Sequence, residues 1–342
     1  MRGVWKSLAV AAAAFALAVW MSPGPVAAAE KVFEFKISLD TVPNHPRNMG
    51  LEVFVPELTK RSGGKLAPTV YHSGQLYKDA HVAKAIRTGT VEMCIPGNWV
   101  LEGVDTSTSI TMLPMFFGQP GKVTEDLIDG EVGKAVNRSL EKKLTVKALG
   151  RWYELGYDQT WTLKKKITKI EDFKGLKMRH SGGSIPAERF KALGASPVFI
   201  AWPDVPMALA QGTVDGLAST TKSVESAKLH ESGLKYGVST RNFNGYYIPL
   251  VSEKFWKSLP PDLQKILQDT WNDLVPKQRE IARREQTTAK EFLKSKGVEI
   301  YDPSDEELAQ WRKVIMANQD AIVKELKHDP EMVKMAKKAL GM

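Results

Sequence analysis

The sequence contains one cysteine, Cys94, in 342 residues. No internal disulfide can form, and a chain of this length does not need one, because large cores are stable without covalent staples. Cys94 lies in the apolar run Val91-Glu92-Met93-Cys94-Ile95 and reads as a small buried hydrophobe. The six histidines (His45, His72, His81, His180, His230, His328) include no pair three or four residues apart, so a helical zinc site is not supported. Ser184 stands in Gly182-Gly183-Ser184-Ile185-Pro186, which lacks the closing glycine of a nucleophile elbow. Neither a Gly-x-x-x-x-Gly-Lys-Ser/Thr phosphate loop nor a Gly-x-Gly-x-x-Gly fingerprint occurs, and nothing indicates a cofactor. Also missing is a clustered basic stripe. The net charge of +9 comes from Lys and Arg scattered among Asp and Glu, which argues for a solvated surface and against a nucleic-acid partner.

What is present begins with an address. Arg2 and Lys6 precede an apolar stretch from Leu8 to Trp20, then Pro23-Gly24-Pro25 and Ala27-Ala28-Ala29, the order of a secretory signal covering 1–29. The stretch is shorter than the roughly 20 residues that span a bilayer, so cleavage after Ala29 and a soluble, exported protein are expected. The remaining chain exceeds what one core usually organises, and two domains follow as the default.

Val32 to Leu39 alternates as a strand, the loop Asp40 to Pro46 breaks it, and Leu51, Phe54, Val55 and Leu58 resume at helical spacing. Further strands are expected at 66–71, 90–95, 146–152, 159–163, 176–180, 197–200 and 214–218, with helices between them ending at glycines. This alternation predicts an α/β fold of two successive lobes, each a mainly parallel sheet with ligand sites where loops leave strand ends. Lobe I is expected over 30–152 plus about 242–275, lobe II over 153–241 plus about 276–300, and C-terminal helices over 301–342. Asp204 reads as an N-cap. A long charged helix from Pro261 to Lys296 links the lobes and is expected to kink or break at Pro276. Ser304 with Glu307 forms a capping box. With no low-complexity linker, the chain must cross between lobes through element ends acting as a hinge.

The most informative segment is Lys177-Met178-Arg179-His180-Ser181-Gly182-Gly183-Ser184. Arg179 falls at a strand end, and the turn after it leads into a helix whose first N–H groups are unsatisfied. A guanidinium fork beside a helix N-terminus suits a carboxylate or sulfonate, so both features are expected to meet one ligand group. A salt-bridged surface arginine is the alternative at this stage.

Gly175-Leu176-Lys177-Met178-Arg179, Phe190-Lys191-Ala192-Leu193-Gly194-Ala195-Ser196-Pro197 and Ala208-Leu209-Ala210-Gln211-Gly212-Thr213-Val214-Asp215-Gly216 closely resemble the DctP-type solute-binding proteins of tripartite ATP-independent periplasmic (TRAP) transporters. Gly74-Gln75-Leu76, Gly89-Thr90-Val91-Glu92-Met93 and Phe255-Trp256-Lys257-Ser258-Leu259-Pro260 fit the same family. The resemblance spans essentially the whole chain after the signal. It implies a two-lobed periplasmic-binding-protein-like fold that closes on an organic acid, with Arg179 gripping the carboxylate and Trp202 walling the pocket. It also implies integral-membrane TRAP subunits as partners. Two positions depart from the family pattern: Asp158 stands where many relatives carry a second ligand arginine, and Ser219 where they carry an asparagine. Losing that arginine disfavours a densely anionic ligand and favours a monocarboxylate or sulfonate with a hydroxyl or amino group. Asn44, His45, Asn98, Trp99 and Tyr246 complete the expected ligand-binding set, with Trp152, Tyr157, Trp161 and Tyr247 as further aromatic candidates. An exported enzyme acting on a small organic acid is the competing function.

Overall fold

Phe35 and Ile37 turn into the core while Glu34 stays exposed and Lys36 is half-buried, and this alternation makes the first strand, β1 (Phe33–Ser38). The computed structural model describes residues 31–342. The expected export signal lies outside the described residues. After β1 come β2 (Leu66–Tyr71), β3 (Met93–Cys94), β4 (Val146–Ala148) and β5 (Tyr153–Tyr157). These are followed by β6 (Gln159–Thr162), β7 (Lys177–His180), β8 (Ser196–Phe199) and β9 (Gly216–Ser219). The last are β10 (Tyr236–Val238), β11 (Asn244–Tyr247), β12 (Leu250–Ser252) and β13 (Glu299–Tyr301).

The strands form two main sheets, ordered β2-β1-β3-β12-β4 and β13-β10-β6-β9-β7-β8, and a two-stranded ribbon of β5 and β11. Both sheets are mixed rather than mainly parallel. β1 pairs in parallel with β2 and β3, and β7 with β8 and β9, but β12 and β6 run antiparallel to their neighbours. The antiparallel members are the strands by which the chain enters a sheet after crossing from the other. Each follows a ribbon strand, β6 after β5 and β12 after β11, so the chain arrives from the opposite end.

Of the kink or break expected at Pro276, the break does not occur: the helix Pro261–Ser295 runs through it. Proline removes one backbone bond, and anchors around it hold the helix in place. The Gln278 side chain accepts from Glu154 N at 2.8 Å and donates to Glu154 O at 2.9 Å, and Arg279 donates to Trp152 O. Leu263, Leu267, Trp271 and Val275 belong to the core of the first sheet, whereas Leu293 packs in a core of the second. The C-terminal helices are shared in the same way. Leu308, Trp311 and Ile315 join the second sheet's side, while Met332, Val333 and Ala336 join the first. The capping box of Ser304 and Glu307 is present. No helix of the described residues is long and apolar enough to cross a membrane.

Candidate functional site

Between the two sheets lies a cleft whose empty space, mouth included, is about 590 Å³. Its walls come from strand ends. Asp40 and Thr41 follow β1, Asp158 joins β5 to β6, Arg179 lies in β7 and Ser219 ends β9. Seven residues expected from the sequence line it together: Arg179, Asp158, Trp202, Ser219, Trp99, His45 and Tyr247.

Arg179 is 2% exposed. Its Nε donates to Ile200 O at 2.9 Å and one Nη to Ala218 O at 3.2 Å, while the other Nη has no partner among the described residues. No carboxylate of the described residues lies within ion-pair distance and the side chain is buried, so it is not a salt-bridged surface arginine. Burial lowers its pKa to about 10, against the opposing fields of Asp158 and Asp40. Its guanidinium carbon sits 5.4 Å from the centre of the Trp202 ring, which orients the fork without using its donors. The group is a fixed cation with N–H bonds to spare.

Asp158 is 6% exposed and accepts from Asn242 Nδ2 at 3.0 Å through one oxygen. Burial raises its pKa to about 6, offset by Arg189, Asn242 and Arg179. His45 caps the helix Pro46–Arg61: its Nδ1 accepts from Arg47 N at 3.2 Å, so Nε2 carries the proton toward Ser223 Oγ at 3.0 Å. Burial, with Arg47 and Lys222 nearby, holds His45 neutral.

Several wall residues were not among those expected from the sequence. Asp40 and Asp79 flank the fully buried Arg47 at 2.6 and 2.7 Å, and Arg47 also stacks 4.4 Å over the ring of Tyr247. A carboxylate directly after an apolar parallel strand was the available cue for Asp40. Asp79 looked like an ordinary first-turn acid on a surface helix.

Other expectations are corrected. Asn98 is not in the wall: its amide donates to Thr108 O and accepts from Tyr246 N, which consumes it inside the fold. Asn44 is exposed on the loop outside the cleft. Tyr246 points the other way, bonding Thr124 and Asn244, and its neighbour Tyr247 faces the cavity. Trp152 and Trp161 are core. Asp204 makes no cap and instead pairs with Lys78 across the cleft mouth at 2.7 Å. The helix N-terminus after Gly183 is not free for a ligand either. Glu102, from the other side of the cleft, accepts from Ser184 N at 2.6 Å and from the Ser184 hydroxyl.

Among the described residues no group of His, Cys, Asp and Glu is arranged to hold a metal ion. The family model of the bacterial extracellular solute-binding proteins, family 7, matches residues 38–325. A C4-dicarboxylate-binding periplasmic protein, DctP, of Rhodobacter capsulatus is 27% identical over 85% of this chain and 86% of its own length. The C4-dicarboxylate-binding protein DctB of Bacillus subtilis is 27% identical over 82% of this chain and 79% of its own. Among solved structures, a TRAP periplasmic solute-binding protein of Ralstonia eutropha with bound (S)-2-acetolactate superposes with TM-score 0.83. It is 27% identical, covering 90% of this chain and 98% of that one. One of Desulfovibrio salexigens with bound orotic acid also gives TM-score 0.83, at 25% identity over 90% and 98% of the two chains.

Proposed function

Since this chain belongs to the family 7 bacterial extracellular solute-binding proteins, whose members are TRAP-transporter binding proteins and not enzymes, we propose that it captures a small organic anion in the periplasm and delivers it to integral-membrane TRAP subunits. The observation that carries this reading is Arg179, a buried guanidinium with unspent donors and no carboxylate partner, facing a cavity between two lobes. A buried charge of this kind is costly alone, and a ligand carboxylate or sulfonate compensates it with paired hydrogen bonds. The relatives point to organic acids of both kinds: two are named for C4-dicarboxylates, and two solved structures hold acids with a single carboxyl group.

This chain is proposed to take a monocarboxylate or sulfonate bearing a hydroxyl or amino group. Asp158 in the wall disfavours a second ligand carboxylate, because two anions in a dry site repel. Ser219 and Trp202 complete the enclosure around the group that Arg179 holds. Binding alone needs only open and closed states, with the ligand favouring the closed one.

Calorimetry with a panel of small acids tests this. Arg179→Ala should abolish measurable binding while the unfolding transition stays cooperative, as removing one partner of a buried ionic hydrogen bond costs about 2–5 kcal/mol. Arg179→Lys should weaken binding too, since an ammonium cannot reproduce the fork. Unaltered affinity in Arg179→Ala removes the residue from the site, and recovery of a chemically changed acid rejects a pure binding role.

A further inference from the structure

The geometry points to a cation-accepting wall in the same cavity: we propose that Asp79, backed by Asp40, receives a protonated amine of the ligand, so that the ligand is a small zwitterion, an amino carboxylate or amino sulfonate. The inference rests on the cavity being the ligand site and names the class of ligand that it takes.

Two arginines sit near the cavity, and they are not equivalent. Arg47 has no donor left to give. Its Nε bonds Thr41 Oγ1, one Nη bonds Asp79 Oδ2 and Ile95 O, and the other bonds Asp40 Oδ1 and Thr41 Oγ1, which accounts for all five N–H groups. Arg47 therefore builds the wall and does not bind the anion. The carboxylates it holds do reach the cavity. Asp79 is 8% exposed, and its Oδ2 takes Arg47 and Gly97 N while Oδ1 has no partner among the described residues. Arg179 enters the same cavity from the other lobe with its own donors unspent. One wall thus offers an unpartnered acceptor, and another offers unpartnered donors.

The charge balance agrees. Among the carboxylates lining the cavity and the arginines lining it or acting directly on those carboxylates, Arg47, Arg179 and Arg189 match Asp40, Asp79 and Asp158, and His45 is neutral. A zwitterion leaves that balance intact, whereas a monoanion adds one uncompensated charge to a desolvated space and a dianion adds two.

The test is calorimetry on the full chain with matched acids having one to three carbons between the end groups: amino, hydroxy and unsubstituted carboxylates, the same three as sulfonates, and succinate. The amino member of the best-fitting length should bind at least tenfold more tightly than its hydroxy and unsubstituted counterparts. Asp79→Asn should erase that preference while the unsubstituted acid still binds. Because Asp79 also holds Arg47, a measurement on the unaltered protein accompanies the variant. With sulfonates, which do not titrate, the amino preference should grow from pH 5 to pH 8 as the site carboxylates ionise. The groups facing Asp79 are Asp40, Arg47, Cys94 and Tyr247, and those facing Asp158 are Arg189 and Arg179. Of these, Asp79 and Asp158, both raised toward that range by burial, change charge there, whereas the arginines, Cys94 and Tyr247 do not. Equal or tighter binding of the hydroxy, unsubstituted or succinate members, or a preference unchanged in Asp79→Asn, overturns the zwitterion while leaving organic-anion capture standing. Silence across the whole panel overturns both.

Discussion

At the scale of single residues the site is governed by which polar atoms are already spent. Arg179, Asp158 and Asp79 are each buried with capacity left over, and Asn98 and Tyr246 are each buried with none. Sequence reasoning names residue types but does not count partners, which is why it placed all but Asp79 in one set. Asp158 carries two predictions. Burial raises its pKa from 3.8 to about 6, so the unfolded chain ionises first as pH rises and the folded state loses stability between those values, then no more above them. Asp158→Asn, which cannot ionise, should therefore melt a few degrees higher than the unaltered protein at pH 7, and the gain should shrink toward pH 4. If Asp158 also sets ligand choice, Asp158→Asn binds the favoured acid less tightly and dicarboxylates relatively better. Competition titrations measure this, and an unchanged ranking retires the selectivity role.

At the scale of elements, strands and helices were legible where local pattern decides them. The alternation in β1, the glycine after the helix Asp79–Thr88 and the Ser304 capping box all stand as the pattern indicates. What local pattern could not show is the partner brought from far along the chain. The turn before the helix Ser184–Ala192 has the form of an anion site, and an anion does occupy it, but it is Glu102. The cap comes from 82 residues earlier in the chain, so no window of sequence around Ser184 contains it. The same holds for Pro276, where side-chain bonds from the long helix to β5 outweigh one missing backbone bond. Glu102→Ala should leave the Ser184 N–H and hydroxyl without their acceptor, at about 1 kcal/mol or somewhat more, because water reaches this partly buried position incompletely. Thermal unfolding should show a loss of a few degrees, and an unchanged midpoint would mean that the contact is dispensable.

At the scale of the whole molecule, the two lobes are joined by the ribbon of β5 and β11 and by the long helix, and they meet again across the cleft. His45 reaches Ser223 and Lys78 pairs with Asp204, in addition to the Glu102 contact. The Lys78–Asp204 pair is exposed and contributes little, and of the two covalent connections the ribbon has the more permissive backbone. There Gly156 faces Gly245, and the register shifts directly afterwards, between Gly245 and Tyr246. Two residues without side chains beside an irregularity make this the easiest place for backbone angles to change. Gly156 has a φ of +108°, which side-chain-bearing residues rarely adopt, and a Cβ there would meet the Gln286 side chain at 3.0 Å. Gln286 cannot readily yield, since its amide donates to Leu155 O at 2.7 Å and accepts from Lys222 N at 2.8 Å. Gly156→Ala should therefore store about 1–3 kcal/mol of strain. Part of it should appear as a lower unfolding midpoint and part as weaker affinity for every acid, because a displaced ribbon changes how the lobes meet. Gly156 does not line the cavity, so the ranking among acids should stay as it is in the unaltered protein. Thermal unfolding and calorimetry with the same panel separate the possibilities: a uniform loss of affinity locates the hinge at this ribbon, and unchanged affinity with a lowered midpoint places the bending elsewhere.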